Sequence, residues 1–352
     1  MSESHDYDFE RFAIGQPVPR GEDPVLLRGE GCYTDDIKAE GAAQAYVLRS
    51  PYPHGAITAL DTAAARAMPG IIAILTAADI DAQGIGDLPC MVADRLKGRG
   101  DTPLVVPSYP PLAKGKVRYL GQPIAFVVAE TLAQARDGAE AIVLEVDQLA
   151  SVTDPRAAVG EGAPQLHESA PGNIAIDWEY GDGAAVSEIF AQAHHVTRLK
   201  IRNSRLVVSA MEPRACVAEY DAATGHFTLQ SPSQGVFGFT NLLANRILTV
   251  PRENVHVKTP NVGGSFGMKS APYPEYIAAL AAARITGRKV RWRDVRSDSF
   301  LSDTHGRDAW AEAALAFDDQ GKLLAGEVTC HANSGAYLSQ MGPNAQTLSL
   351  IH

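Results

Sequence analysis

The chain has 352 residues, 45% of them hydrophobic, which is enough to bury a sizeable core and to form two domains. Its 41 acidic and 31 basic side chains give a formal net charge of −10, so binding to a nucleic-acid backbone is not expected. The cysteines form no C-x-x-C pair, which predicts reduced thiols rather than a disulfide framework or a zinc or iron–sulfur ligand set: Cys32, Cys90, Cys216 and Cys330.

The N-terminal segment, residues 1–24, is polar and contains Pro17, Pro19 and Pro24, a composition that predicts an extended lead-in. Its first residues are acidic rather than basic and then apolar, unlike a secretion signal, and no apolar run in the chain approaches the ~20 residues that cross a bilayer. We therefore expect a cytoplasmic protein without a membrane span.

Residues 25–150 predict a first domain of alternating strands and helices. Asp61 is the expected N-cap of an alanine-rich helix, and Thr131 with Gln134 forms a capping box that begins a second helix. Apolar runs predict strands at 43–48, 57–60, 71–75, 123–128 and 142–146. Residues 84–111, rich in Gly and Pro, predict a long surface loop, and residues 151–172 predict a linker.

Residues 173–352 predict a second domain of mixed helices and strands. Alternating patterns around turn residues predict two hairpins, and Gly287 is the expected end of a helix that begins with Pro274. The predicted hairpins pair 216–220 with 226–230 and 311–317 with 323–330; helices are expected at 183–193, 236–244 and 274–285, and further strands at 196–201 and 255–257.

The segment Gly263-Gly-Ser-Phe-Gly267 is the most informative local motif. It lacks the Gly-Lys-Ser/Thr ending of a P-loop and the spacing of a dinucleotide-binding loop. It matches the Gly-x-Ser-x-Gly nucleophile elbow of serine hydrolases, with Ser265 as the nucleophile, but Pro272 and Pro274 delay the helix that an elbow requires directly after the serine. Two interpretations remain: a tight structural turn, or a loop whose missing Cβ atoms let backbone N–H groups approach a ligand's oxygens.

Six motifs in order along the chain resemble the large, molybdopterin-binding subunit of the xanthine dehydrogenase, aldehyde oxidase and aerobic carbon monoxide dehydrogenase family. Each motif is weak alone, and their shared order carries the resemblance. Residues 27–36, 49–55 and 121–124 look like the family's a/b hammerhead domain, and residues 211–214, 231–235 and 263–269 look like the first part of its cofactor-binding region. The resemblance implies an α+β protein, with a hammerhead domain followed by an incomplete molybdopterin-binding domain.

The resemblance implies oxidative hydroxylation of an electron-poor carbon, in an azaheterocycle, an aldehyde or carbon monoxide, with molybdopterin in its cytosine dinucleotide form as cofactor. Gln234 would donate an amide hydrogen bond to an oxygen ligand of molybdenum, and Phe266 would shield the site from water. The alternatives are a helix-capping Gln234 and an ordinary core Phe266. The expected cofactor-binding residues are Gln234, Gly235, Gly264, Ser265, Phe266 and Gly267.

The resemblance also implies partners. Relatives continue for about as long again, so we expect the glutamate base beyond His352 and assign no catalytic residue or metal ligand to this chain. The chain would then be a truncated product or half of a natural split, inactive alone, or a non-catalytic scaffold. Its partners would be a [2Fe-2S] subunit, an FAD subunit and a chain that supplies the C-terminal half. Ser270 stands where purine-oxidising members carry glutamate, so xanthine is not the expected small-molecule substrate.

Other charged and imidazole side chains have weaker interpretations. Glu212 and Arg214 lie in the family's loop near the cofactor, or form a surface ion pair. The pair His194-His195 is expected at a helix end in a structural role. His305 and His331 have no companions at metal-ligand spacing, so neither is a metal candidate.

Overall fold

The computed structural model describes residues 19–338 and Gly342. Most of the predicted lead-in, residues 1–18, lies outside this range, as does the end of the predicted second domain, residues 339–341 and 343–352. Residues 23 and 24 of the lead-in are not extended but begin a short helix, Asp23–Leu27, because Pro24 fits the first helical turn. Among the described residues no helix is long and apolar enough to cross a membrane.

Helices and strands are interspersed along the described residues. The strands are β1 (Ala43–Arg49), β2 (Gly55–Asp61), β3 (Ile71–Leu75), β4 (Lys116–Val117), β5 (Pro123–Ala129), β6 (Val143–Gln148), β7 (His195–Asn203), β8 (Ala215–Asp221), β9 (His226–Gln230), β10 (Val255–Lys258), β11 (Val290–Arg293), β12 (Ala309–Phe317) and β13 (Leu323–Ala332). The α-helices are α1 (Asp23–Leu27), α2 (Ala63–Arg66), α3 (Ala77–Ala82), α4 (Leu132–Glu140), α5 (Pro155–Ala158), α6 (Gly183–Gln192), α7 (Val236–Leu242), α8 (Pro274–Thr286) and α9 (Arg296–Ser302).

A seven-stranded mixed sheet in the described residues, in the order β10-β9-β8-β11-β1-β5-β3, carries the main core. Strand β1 pairs in parallel with β11 and antiparallel with β5, so strands from both halves of the chain share one sheet. Helix α8 packs on this sheet, and its residues 274–283 are all buried. Its alanines let the helix lie close to the strands, and β5 is buried at every position. Two three-stranded sheets, β4-β2-β6 and β13-β12-β7, flank this core.

Both predicted hairpins and most predicted elements are present, because their capping and turn residues act locally. Thr131 and Gln134 form the expected capping box, and Gly287 ends α8 with a left-handed φ of 64°. The N-cap of α2 is Thr62 rather than the predicted Asp61, although the Asp61 carboxylate accepts a hydrogen bond from the Ala63 N–H at 2.8 Å. The sequence did not indicate β4, α3, β11 or α9.

Two segments predicted as a loop and a linker are more ordered than expected. The 84–111 loop is not only surface: Cys90, Val92 and Leu104 are buried in a small cluster with Leu338. The 151–172 segment contains α5. The Arg156 guanidinium of that helix lies 3.8 Å from the centre of the Trp310 ring, which attaches the segment to β12.

A buried charge cluster centres on Arg214, which the structure places in the core rather than in a surface ion pair. The Arg214 guanidinium donates to Asp303 at 2.5 Å, to Glu275 at 2.7 Å and to Asp294 at 2.9 Å, and its side chain is fully buried. The Tyr273 ring lies 4.0 Å from the guanidinium carbon. Arginine suits this position because its fork of five donors can satisfy several carboxylates at once.

Arg49 connects this cluster to β1. Its guanidinium lies 2.8 Å from Glu275, 3.4 Å from Asp294 and 3.1 Å from Asp298. Burial opposes ionisation of Glu275, but the adjacent Arg214 and Arg49 outweigh it and lower the pKa of Glu275 to about 2. The carboxylate therefore stays charged inside the core. We name Arg49, Arg214, Glu275, Asp294, Asp298 and Asp303 the buried charge cluster.

Replacing Arg214 by methionine should lower the free energy of unfolding by about 3–5 kcal/mol, because Asp303 would lose its guanidinium partner and Glu275 and Asp294 would keep only Arg49. The measurement is the urea unfolding midpoint of the purified chain. Arg28→Met is the control, since Arg28 pairs with Glu30 at the exposed surface and should leave the midpoint unchanged. Equal midpoints for both variants would show that the cluster does not stabilise the fold.

The contribution of Glu275 should depend on pH. Its folded pKa of about 2 lies below the ~4.3 of an unfolded glutamate, so its stabilisation is complete above pH ~4.3 and is lost as pH falls toward 2. The difference in urea midpoint between wild type and Glu275→Gln should therefore be largest near pH 7 and shrink by pH 3. A difference that grows on acidification would contradict this assignment.

Candidate functional site

The glycine loop, residues 263–267, lies between β10 and α8 and has a strained backbone. Phe266 adopts a left-handed φ of 50°, and Gly264 and Gly267 both have φ of 95°. The Phe266 side chain is 80% exposed, so it is not a core phenylalanine. A strained loop that holds an aromatic side chain in solvent is more typical of a binding site than of an ordinary turn.

A side chain would be crowded at two glycines of the loop. A Cβ on Gly263 would lie 2.6 Å from the Glu212 Cβ, and one on Gly264 would lie 3.0 Å from the Phe266 ring. The backbone N–H groups of residues 264–267 donate no hydrogen bond to any described residue. Four consecutive N–H groups are thus left without a partner in the described residues, and such a run of donors can suit an oxygen-rich anionic ligand.

Ser265 orients Gln234 beside this loop. The Ser265 hydroxyl accepts a hydrogen bond from the Lys269 N–H at 3.1 Å and donates to the Gln234 Oε1 at 2.6 Å. Since the carbonyl oxygen of the amide is occupied, its NH₂ group is left as a donor on an exposed side chain. Gln234 does not cap α7: the N-cap of that helix is Gly235, whose N–H donates to the Ser233 hydroxyl at 3.4 Å.

The same contacts argue against a nucleophilic Ser265. Its hydroxyl donates to an amide oxygen, which is no general base, and among the described residues no histidine bonds to it. The following helix begins only at Pro274. The sharp strand-to-helix turn of a nucleophile elbow is absent from this part of the chain.

Glu212 and Lys269 anchor the first residue of the glycine loop. The Lys269 ammonium, fully buried, donates to the Glu212 carbonyl at 2.8 Å and to its Oε2 at 3.0 Å, and the same Oε2 accepts from the Gly263 N–H at 2.9 Å. Burial lowers the pKa of Lys269, although Glu212 opposes this shift. Glu212 Oε1 accepts from the Thr34 N–H at 3.3 Å, which connects the loop to the first half of the chain.

The surface ion-pair interpretation required Glu212 and Arg214 to pair with each other, and they do not. Glu212 points toward the loop and Arg214 into the core. The burial of Lys269 was not predictable from the sequence, because its partner Glu212 is 57 residues away in the chain.

The histidines lie away from the loop or have ordinary partners. Helix α6 ends at Gln192, so His195 is not at a helix end but begins β7, where it contacts Thr197 Oγ1 at 3.1 Å. His305 Nε2 lies 3.3 Å from the Phe300 carbonyl oxygen. Across residues 19–338 no group of three His, Cys, Asp or Glu side chains could hold a metal ion.

Two family models match the chain. Residues 28–150 match the a/b hammerhead domain of aldehyde oxidase and xanthine dehydrogenase, and residues 166–352 match the molybdopterin cofactor-binding domain. These matches confirm the α+β class and the order hammerhead, then cofactor-binding domain.

Curated proteins and solved structures match over the same range. The chain is 31% identical to the nicotine 6-hydroxylase large subunit of Paenarthrobacter nicotinovorans over 93% of this chain and 39% of that protein. It is 30% identical to the carbon monoxide dehydrogenase large chain of Hydrogenophaga pseudoflava over 99% of this chain and 43% of that protein. The quinoline 2-oxidoreductase structure from Pseudomonas putida 86 superposes with a TM-score of 0.82 at 31% identity, covering 91% of this chain and 39% of that one. The chain thus spans about two fifths of the length of these relatives.

Gly264→Ala should lower the free energy of unfolding by about 1–3 kcal/mol, because the new Cβ sits at a left-handed φ and presses on the Phe266 ring. Urea unfolding of the purified chain measures the loss. Gly183→Ala adds the same methyl group in the first turn of α6, where nothing lies within 4 Å, and should cause no loss. If the two variants have the same free energy of unfolding, the loop is not held in the strained conformation.

Proposed function

The chain belongs to the aldehyde oxidase and xanthine dehydrogenase family of molybdenum oxidoreductases, and we propose that its glycine loop and Gln234 form one wall of a molybdopterin site used for oxidative hydroxylation. The observation that carries this proposal is the row of free backbone N–H donors at residues 264–267 beside the exposed Gln234 amide. Such donors match the phosphate and oxygen atoms of a pterin cofactor.

Each residue has a distinct part in this proposal. The N–H groups of Gly264, Ser265, Phe266 and Gly267 bind cofactor oxygens, and the glycines keep Cβ atoms out of the way. Gln234 donates from its NH₂ group, which can orient an oxygen ligand without protonating it. The exposed Phe266 ring excludes water from the cofactor face, and Gly235 lies beside Gln234 with open space around its Cβ position, where the cofactor could approach the backbone.

When bound, the molybdenum centre supplies the oxygen-transfer and electron-accepting chemistry. The chain's own part is to bind, orient and shield that centre. We propose the cytosine dinucleotide form of the cofactor, with residues 25–150 as the hammerhead domain, 151–172 as a linker and 173–352 as the first part of the cofactor-binding domain. The Glu212 carboxylate contacts the loop but is paired with the buried Lys269, so we propose that the base lies outside residues 19–338.

The proposed assembly also contains other subunits. A [2Fe-2S] subunit and an FAD subunit accept the electrons. A small-molecule azaheterocycle, aldehyde or carbon monoxide is the substrate.

Molybdenum bound per polypeptide, measured by elemental analysis of the complex purified from cells, tests the cofactor site. Gln234→Ala and Phe266→Ala should each weaken retention of the metal by about 10–100-fold, the usual effect of removing groups that support a metal centre. Pterin fluorescence of the same samples should fall in parallel, which provides a readout independent of turnover.

The control is Gln148→Ala, an exposed glutamine on β6 far along the chain from the loop, which should retain molybdenum like the wild type. A wild-type complex that never contains molybdenum would instead support a scaffold role. Full retention in both site variants would contradict the proposed contacts.

A further inference from the structure

A crevice of about 560 Å³ lies at the carboxyl ends of β9 and β10, the two strands at one edge of the seven-stranded sheet. These strands run parallel, and their last residues, Gln230 and Lys258, pair with each other and both line the crevice. Ligands of open sheets commonly bind outside the carboxyl ends of parallel strands. None of the six residues assigned to the proposed cofactor site lines this crevice, so it is a separate feature of the fold.

A second wall of the crevice comes from residues 32–38, and hydrogen bonds hold this segment in place. The Cys32 N–H donates to the Asn261 Oδ1 at 2.9 Å, and the Asn261 N–H donates to the Cys32 carbonyl at 3.0 Å. Arg291 of β11 donates from its Nη1 to the Ile37 carbonyl at 3.0 Å. Because both walls are tied to the same sheet, the crevice is preformed, as most small-molecule sites are.

The crevice contains two lysines that have no carboxylate partner. Six of the chain's nine lysines pair with a carboxylate: Lys97, Lys114, Lys116, Lys200, Lys269 and Lys289. Lys38, Lys258 and Lys322 form no ion pair with any residue that the structure describes, and the first two line the crevice. Acidic side chains outnumber basic ones by 41 − 31 = 10, so two unpaired lysines in one crevice are a local departure from the charge of the chain.

The other polar groups of the crevice leave this positive charge available. The Gln230 amide has no hydrogen-bond partner among the described residues, so it adds a further donor. Asp36 is the acidic residue of the described lining, and its Oδ2 accepts a hydrogen bond from the Tyr33 N–H at 2.9 Å. The lining therefore has a formal charge of 2 − 1 = +1, which attracts an anion to an otherwise acidic protein.

The size and chemistry of the crevice limit the class of ligand. Clefts that bind drug-sized molecules measure about 300–1,000 Å³, so 560 Å³ suits an organic compound better than a single inorganic ion. Each lysine acts as a compact point charge, so two of them can each neutralise one negative group. Ile37 and Pro260 also line the crevice and can contact the carbon skeleton of the ligand.

We propose that this crevice binds a small organic dianion, with Lys38 and Lys258 each neutralising one negative group and the Gln230 amide donating a hydrogen bond. The proposal requires neither molybdopterin nor turnover. Its test is therefore independent of the proposed function.

The Cys32 thiol provides a reporter inside the crevice. It is exposed and lines the crevice, whereas Cys90 and Cys216 are buried, and Cys330→Ser in every sample removes the half-buried fourth thiol. The Cys32 thiolate attacks a disulfide reagent, a new S–S bond forms, and the other half of the reagent leaves as a coloured thiolate. The measured quantity is the ratio of two rates, that for dianionic dithiobis(nitrobenzoate) over that for neutral dithiodipyridine, each divided by the rate with free cysteine.

This ratio should exceed one by about tenfold in the full-length chain, because the two lysines attract the dianionic reagent. Lys38→Gln with Lys258→Gln should lower the ratio at least about fivefold, and each single variant should lower it less. Lys322→Gln is the matched control, since Lys322 is exposed and unpaired among the described residues but lies outside the crevice, and it should leave the ratio unchanged. A ratio that is the same in the wild type and the double variant would overturn the proposal.

Isophthalate and benzoate, which differ by one carboxylate, test reversible binding. Isophthalate should slow the modification of Cys32 by dithiodipyridine in a saturable way, and benzoate at the same concentration should not. Titration calorimetry should show isophthalate binding to the wild type and to Lys322→Gln, with at least about tenfold weaker binding to the double variant. Circular dichroism of each variant confirms that it is folded. Isophthalate that neither binds nor protects Cys32, or that binds the double variant as tightly as the wild type, would contradict the assignment of this site.

Discussion

The buried guanidinium of Arg214 is the constraint on which the rest of the structure depends. An unpaired cation in a core costs several kcal/mol, so the fold must bring carboxylates to it. They come from separate elements: Glu275 from the first turn of α8, Asp294 from the end of β11, and Asp303 from the residue after α9. Satisfying one side chain thus fixes the mutual positions of a strand and two helices, and Arg49 extends the same requirement to β1.

The short segment from Glu212 to Arg214 connects this core to the glycine loop. Arg214 enters the buried charge cluster, while Glu212 turns toward Lys269 and Gly263. Pro213 between them restricts the backbone. The ion pair of Glu212 with Lys269 is therefore placed by the core, and no surface pairing of Glu212 with Arg214 is compatible with it.

Local features of the fold were predictable, and non-local ones were not. The capping box at Thr131, the left-handed Gly287 and both hairpins depend on residues within a few positions of one another, and each is present. Strand β11 was missed because its four residues include two arginines and its burial comes from pairing with β1 and β8, strands far away in the chain. The glycine loop was recognisable from its sequence, but the Ser265 contact with Gln234 was not, since the two are 31 residues apart.

The contacts that hold the glycine loop in place leave several of its backbone N–H groups unpaired. A left-handed phenylalanine costs about 1–3 kcal/mol and persists only where surrounding contacts over-determine the backbone. Here those contacts all come from behind: Glu212 and Lys269 engage Gly263, and Ser265 engages Gln234 and the Lys269 N–H. None of them uses the N–H groups of residues 264–267, so these four donors have no partner in the described residues. In the proposed site, donors held in a strained loop would need little reorganisation to bind an anionic ligand, so the contacts that hold the loop would also prepare it for binding.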